Sequence, residues 1–249
     1  METIFTIQPV SMALPPITPR MAEVMRMYGV TADRLRGRPS VGGCEVVLRP
    51  GQIALIMGFS GAGKTTALTQ MSQQVPESQR LWLGRDLGGA EPKADSVIDA
   101  MGGETREALA WLAKAGLSDA RVALQRPTQL SGGQFWRFQL AQALASTARV
   151  VFIDEFAATL DAINAATVSH RLRRIADGGE KMFVVASGRY DFACDLSPDV
   201  TIEMRHGGQA IVTPRTNTPI SMAKRRAWVE ETWPRFYGLC ESSGGKNAV

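Results

Sequence analysis

Gly58-Phe59-Ser60-Gly61-Ala62-Gly63-Lys64-Thr65-Thr66 matches the pattern G-x-x-x-x-G-K-[ST], a loop that cradles phosphate. Glycines at 58, 61 and 63 let the backbone curl, so that successive N–H groups face a single anion. A helix starting at the loop's end adds its positive terminus. Lys64 is spaced to reach the β- and γ-phosphates of a nucleoside triphosphate, and the Thr65 hydroxyl to ligate Mg²⁺. Ser60 and Thr66 complete the expected binding set. The flanks agree with the pattern. Residues 52–57 (QIALIM) form an apolar run suited to a buried parallel strand. Residues 65–74 read as a helix, closed by Pro76. The order strand, loop, helix is the one the pattern requires.

Outward from this loop, a second chemical element lies at residues 150–155 (VVFIDE), an apolar strand ending in two carboxylates. Ligands in open α/β sheets collect at the carboxyl ends of strands. Asp154 is therefore expected to hold Mg²⁺, directly or through water, and Glu155 to orient the attacking water or take its proton. The alternative is a strand end that is merely capped. A third element, Leu130-Ser131-Gly132-Gly133-Gln134, opens a long helix whose apolar residues recur at helical spacing through Ala145. Asp161 is a plausible N-cap for another helix running to Asp177.

The whole chain has 249 residues, 45% of them hydrophobic, and a net charge of +4. That length supports one large α/β domain, or a domain with a subdomain. The mild basic excess permits contact with nucleic acid or a membrane surface without arguing for it. Three scattered cysteines, no CxxC and two histidines argue against zinc and suit a reducing cytosol. The acidic Glu2 and the prolines at 9, 15 and 16 do not resemble a secretory leader, and no apolar run is long enough to span a bilayer. The chain is accordingly expected to be cytoplasmic, without membrane insertion of its own.

Residues 3–7 alternate weakly, as an edge strand does. Residues 21–28 have helical spacing and stop at Gly29. Residues 31–39, with Arg34, Arg36 and Arg38, read as an exposed loop, either solvated or a basic contact surface. Residues 45–48 and 52–56 are two β-type runs separated by the turn signal Arg49-Pro50-Gly51. Residues 81–83 form a short strand, 84–95 a loop, and 104–115 a helix ended by Gly116. Residues 181–186 are a buried strand. Residues 200–204 and 209–212 form a closing pair joined at Gly207-Gly208, followed by a basic and aromatic tail.

Taken together, the motifs resemble those of ATP-binding-cassette (ABC) ATPases. LSGGQ at 130–134 matches that family's signature, Arg137 follows where the family often has arginine, and Asp161 matches the D-loop aspartate. The resemblance covers roughly residues 44–205. It implies a P-loop NTPase fold of the α/β class, with a mostly parallel central sheet, a small antiparallel β part and a reduced helical subdomain at about 92–146. The implied organisation is an N-terminal extension at 1–43, an ATPase domain at 44–212 and a tail at 213–249. It further implies ATP and Mg²⁺ as cofactors and an ATP-dependent homodimer. In that dimer Ser131, Gly132, Gly133 and Gln134 of one copy would face the γ-phosphate on the other, and Asp161 would be among the nucleotide-binding residues.

The sequence departs from the family in several places. Phe156 stands where proline is typical. Gly188 falls where a switch histidine is expected, leaving Ser187 or Arg189 to contact the γ-phosphate. No Q-loop is evident. Tyr28 is either an adenine-stacking ring or a core aromatic. A narrower resemblance, to soluble ABC-type ATPases joined to an acetyltransferase-like domain, rests on residues 126–131, 135–138, 154–161 and 196–200. The expected function is a soluble ABC-type ATPase that hydrolyses Mg-ATP in an ATP-sandwiched dimer; the alternatives are the ATP-binding subunit of a membrane transporter, and a low-turnover switch or scaffold with an unknown protein or nucleic-acid partner.

Overall fold

A computed structural model describes residues 2–11, 14–36, 39–84, 94–205 and 209–215. In chain order the strands are β1 (Thr3–Ile7), β2 (Val10–Ser11), β3 (Pro39–Val41), β4 (Cys44–Leu48), β5 (Ile53–Gly58), β6 (Arg80–Leu83), β7 (Val150–Ile153), β8 (Met182–Ser187), β9 (Val200–Arg205) and β10 (Gln209–Pro214). The helices are α1 (Pro19–Met27), α2 (Ala32–Arg36), α3 (Lys64–Gln73), α4 (Val97–Met101), α5 (Thr105–Ala115), α6 (Ala120–Ala123), α7 (Gly132–Ala145), α8 (Ala162–Asp177) and α9 (Ala193–Leu196).

The central sheet runs β10-β9-β5-β8-β7-β6. Every pairing is parallel except β10 with β9. β5, β7 and β8 are buried along their whole length, as uninterrupted apolar runs flanked by helices must be. β5 sits beside both β8 and β9, so the loop that follows it leaves from the middle of the sheet's carboxyl edge. That is where an α/β sheet offers a crevice to a ligand.

β4 pairs with β1, antiparallel and in register from Thr3 with Leu48 to Ile7 with Cys44. The alternation is clean. Phe5, Ile7, Val46 and Leu48 are buried, while Ile4 and Val47 face outward. An isolated two-stranded ribbon is marginal in water. Burial of four large apolar side chains against the core supplies roughly 1.5–3 kcal/mol each, enough to hold the ribbon in place. Its inner face joins Ala54, Ile56, Ala67, Leu68, Met71, Phe152 and Val184 in one hydrophobic cluster. The outer edge of β1 is tied to α3 by side-chain amides. Thr6 N–H donates to Gln74 Oε1 at 2.9 Å and Gln74 Nε2 donates to Thr6 O at 2.7 Å. Gln70 treats Gln8 the same way, at 2.7 and 3.2 Å.

Most helix ends match the sequence signals. Gly116 closes α5 in the left-handed conformation, at φ 93°. α1 begins two residues earlier than the apolar spacing suggests, because Thr18 caps it and Pro19 fits its first position. One expectation fails. Part of the segment read as a loop is the short helix α2, which the Thr31 hydroxyl starts by accepting the Arg34 N–H at 3.3 Å. Tyr28 is 79% exposed, which excludes the core reading of that ring. The loop expected at 84–95 falls mostly outside the described residues, as do Arg38, the junction at 207–208 and the tail beyond 215.

At the amino ends of the central strands a buried arginine ties the chain together. Arg173 is 7% exposed. It pairs with Asp199 at 2.7 Å and Asp177 at 2.7 Å, and donates to Gly51 O at 2.9 Å. Asp199 also accepts the Ile53 N–H at 2.8 Å, fixing the first residue of β5.

Candidate functional site

The phosphate loop leaves β5 at Gly58, and no larger residue fits there. A Cβ on Gly58 would lie 2.6 Å from Met204 O and 3.0 Å from Met204 Cβ on the adjacent β9. Gly61 and Gly63 adopt φ 78° and 86°, the left-handed backbone that glycine takes without strain. Gly63 is the N-cap of α3, so the free N–H groups of that helix's first turn open toward the loop. Lys64 is the first helical residue. Its ammonium turns back into the loop and donates to Gly58 O at 2.9 Å and Phe59 O at 2.8 Å. Ser60, Thr65 and Thr66 are exposed on the loop and first turn, free to reach a ligand.

The two carboxylates arrive from β7. Asp154 is partly exposed beyond the strand's end, and its Oδ1 accepts the Glu155 N–H at 3.0 Å. Burial lowers the Lys64 pKa, and the negative charges of Asp154 and Glu155 partly restore it. The loop lysine therefore feels both acids, and the structure brings the two sequence elements into one site. Their donor chemistry suits Mg²⁺ with a nucleoside triphosphate: a hydroxyl, a carboxylate, an ammonium and backbone amides.

Glu155 and Ala157 both lie in the left-handed region, at φ 49° and 59°. Non-glycine residues persist there only where their surroundings hold them, typically at a functional centre. Phe156 between them is buried, edge-on to Phe192 with centroids 4.9 Å apart and to Trp136 at 5.5 Å. A ring thus fills the position where the related pattern has proline.

Just past the end of β8, Gly188 lies against the phosphate loop. A Cβ there would be 3.9 Å from Gly58 O and 4.0 Å from Lys64 Nζ. Ser187 and Arg189, the residues considered for the γ-phosphate, are bonded elsewhere in the structure. The Ser187 hydroxyl donates to Phe156 O at 2.9 Å. Arg189 donates to Ala157 O at 2.8 Å and to Leu160 O, and forks onto Asp191. Both polar groups serve the loop that carries Glu155. The sequence held no signal for this, since it depends on backbone carbonyls.

Ser131 caps α7, and with Gln134 it closes a capping box. The Gln134 N–H donates to Ser131 Oγ at 3.4 Å, and Gln134 Oε1 accepts the Ser131 N–H at 2.9 Å. Nothing lies within 4 Å of a Cβ placed on Gly132, and one on Gly133 would meet only Asn164 Oδ1 at 3.8 Å. The N-terminus of α7 thus lies open, beside the start of α8. Asp161 caps that helix through the Asn164 N–H at 2.9 Å. This hydrogen bond is the main reason the Asp161 pKa falls below its usual value.

The comparisons with known proteins agree with this geometry. The family profile described as ABC transporter matches residues 41–158. A taurine import ATP-binding protein of Chromobacterium violaceum is 31% identical over 191 residues, covering 64% of this chain and 72% of that protein. A spermidine/putrescine import ATP-binding protein of Methylococcus capsulatus is 34% identical over 140 residues, which is 46% of this chain and 36% of the relative. Among solved structures, cbiO1 of Clostridium perfringens, part of an ABC transporter complex, superposes with a TM-score of 0.61 at 16% identity, covering 82% of this chain and 92% of that one. A dimeric ATP-binding cassette in a post-hydrolysis state with ADP and Pi gives 0.57 at 18% identity, covering 73% and 93%. The narrower resemblance to acetyltransferase-linked ATPases finds no support in these comparisons. On its sequence and its fold, the chain belongs to the ABC transporter family: it is an ATP-binding-cassette ATPase with ATP and Mg²⁺ as cofactors.

Proposed function

We propose that two copies of this chain close on Mg-ATP and hydrolyse it, and that the chain serves as the ATP-binding subunit of a membrane transporter. The observation carrying the catalytic part is the convergence of Lys64 with Asp154 and Glu155 at the carboxyl edge of the sheet. Lys64 and the amides of the loop hold the phosphates. Thr65 and Asp154 hold Mg²⁺, which when bound neutralises charge building on the phosphoryl oxygens. Glu155 orients a water molecule and draws its proton. Ser131, Gly132 and Gly133 offer an anion site at a helix N-terminus, open to solvent and suited to the nucleotide held by a second copy. ATP then favours the closed pair by its extra contacts, and hydrolysis removes them.

The transporter role is supported by the two relatives above, which are import ATP-binding proteins. Among the described residues no helix is long and apolar enough to cross a membrane, so membrane-spanning subunits would be separate chains or segments. On this reading the site would work at the cytoplasmic face of a membrane. Gly188, beside Lys64 without an imidazole, favours slow turnover as a second reading.

The test is size in solution with and without Mg-ATP, on the wild type and on Glu155→Gln. The variant should accumulate as an ATP-bound dimer with hydrolysis abolished, while the wild type turns over. A variant that binds ATP and stays monomeric refutes the homodimer. Recovery of the full chain in detergent with a multispan membrane protein supports the transporter role. A partnerless, freely soluble dimer overturns that role and returns the stand-alone ATPase.

A further inference from the structure

The backbone around Glu155 is held in a conformation that it would not keep by itself. Residues 155 and 157 both occupy the left-handed region. Two turn hydrogen bonds of the loop are local: Ala158 N–H to Glu155 O at 3.0 Å and Leu160 N–H to Ala157 O at 3.2 Å. Neither crosses to another element. The crossing contacts come from the end of β8. The Phe156 N–H donates to Ala186 O at 2.9 Å, and the Ser187 hydroxyl donates to Phe156 O. Arg189 reaches furthest, with Nη1 shared between the carbonyls of Ala157 and Leu160.

We infer that Arg189 is a positioning residue for hydrolysis, a strut that holds the 155–160 loop so that Glu155 keeps its aim at the phosphate loop. This rests on the reading of Glu155 as the group that orients water. The guanidinium suits the task. One edge faces two loop carbonyls, while Nε and Nη2 fork onto the Asp191 carboxylate at 3.1 and 2.5 Å. A planar fork makes both sets of bonds at once, whereas an ammonium on a flexible stem does not. The Asp161 carboxylate adds a lesser attraction. The strut also starts from the right place. The residue before it, Gly188, lies against Gly58 O and Lys64 Nζ. A single chain segment, 186–189, therefore touches both walls of the site: the phosphate loop through Gly188, and the acid-bearing loop through Ala186, Ser187 and Arg189. The distance from Glu155 to the bound phosphates is set through that segment. Arg189 contacts carbonyls and not the phosphates, so its loss should fall on the chemical step and spare nucleotide affinity.

The test uses the full chain, with Arg189→Ala and Arg189→Lys compared with wild type in three measurements: steady-state ATP hydrolysis, equilibrium binding of Mg-ATP, and amide exchange without nucleotide. A misplacement on the scale of 1 Å costs about 100-fold in rate. Arg189→Ala should lose kcat to about that extent with KM and Kd unchanged, and exchange at Ala158 and Leu160 should accelerate. Low concentrations of free guanidinium ion should restore part of the Arg189→Ala rate, and the lysine variant should stay impaired. An unchanged kcat, a loss confined to KM, or unchanged exchange in the loop overturns the inference. If Arg189→Ala does not fold, Asp191→Asn frees one edge of the fork, and an unaltered kcat in that variant overturns it equally. A wild type that hydrolyses no ATP would remove the reading of Glu155, while exchange in the variants would still decide whether the strut exists.

Discussion

Alanine at two glycines, both facing the same loop, should give opposite results. At Gly58 the added methyl would stand 2.6 Å from Met204 O, where ordinary contact begins at 3.4 Å. Either the end of β5 or the facing carbonyl of β9 must retreat by about 0.8 Å, and both are backbone in a parallel pair. Overpacking of this kind costs about 1–3 kcal/mol. The damage would also reach the site. Gly58 O is one of the two carbonyls that seat the Lys64 ammonium, and a shift near 1 Å at a reacting group lowers rates about 100-fold. At Gly188 a methyl would come no closer than 3.9 Å to any of its neighbours, so its effect should stay within about 0.5 kcal/mol. Urea unfolding followed by Mg-ATP titration and steady-state hydrolysis would measure both effects for Gly58→Ala and Gly188→Ala. Equal stabilities and equal rates in the two variants would refute the steric argument. So would a Gly58→Ala protein that hydrolyses ATP at the wild-type rate.

A Cβ at Gly188 clears Gly58 O by 3.9 Å and Lys64 Nζ by 4.0 Å, so Gly188→His starts its side chain without a clash. If the added imidazole donates to the γ-phosphate, a charged hydrogen bond worth about 1.5–3 kcal/mol should raise kcat some 10- to 150-fold, and a single-turnover assay would show it. Arg173→Ala leaves the largely buried Asp199 with only Arg215, at 3.8 Å, as a charged partner and should cost about 3 kcal/mol in urea unfolding, whereas changing Arg173 to Met and Asp199 to Asn together should cost less. Asp161 has a lowered pKa in the fold, so its contribution is present above the ordinary 3.8 and disappears as pH falls through the folded value. A carboxyl titration followed by NMR should place its midpoint below 3.8, and a midpoint at or above that value would contradict the N-cap geometry.

What the sequence made legible is what neighbours in the chain decide. Five consecutive apolar residues and the following glycine become a strand with every position buried. Ser131 with Gln134 three positions on becomes a capping box. Asp161 caps α8, and Gly116 ends α5. Lys64 feels the charge of Asp154 and Glu155, the two elements expected from a phosphate loop and an acid-ended strand. The illegible part is nonlocal. A turn at 49–51 separates β4 from β5 but does not say that they pair, and β4 in fact joins β1 while β5 takes two parallel partners. Ser187 and Arg189 were legible as polar groups near the phosphates, yet their hydrogen bonds go to carbonyls of a loop whose backbone angles no residue pattern announces. The helix at 32–36 was masked by its arginines, because a single threonine hydroxyl decides it.

The amide ladder of Gln70 and Gln74 along β1 has a consequence for the chain's behaviour in crowded solution. A free strand edge presents alternate N–H and C=O groups to which another chain can add. At Thr6 on β1 and at Gln8 just past its end, those groups already bond side-chain amides that imitate a neighbouring strand. The helix that carries the phosphate loop therefore also seals the ribbon against strand addition. Replacing both glutamines would reopen that edge and leave the cassette prone to edge-to-edge association.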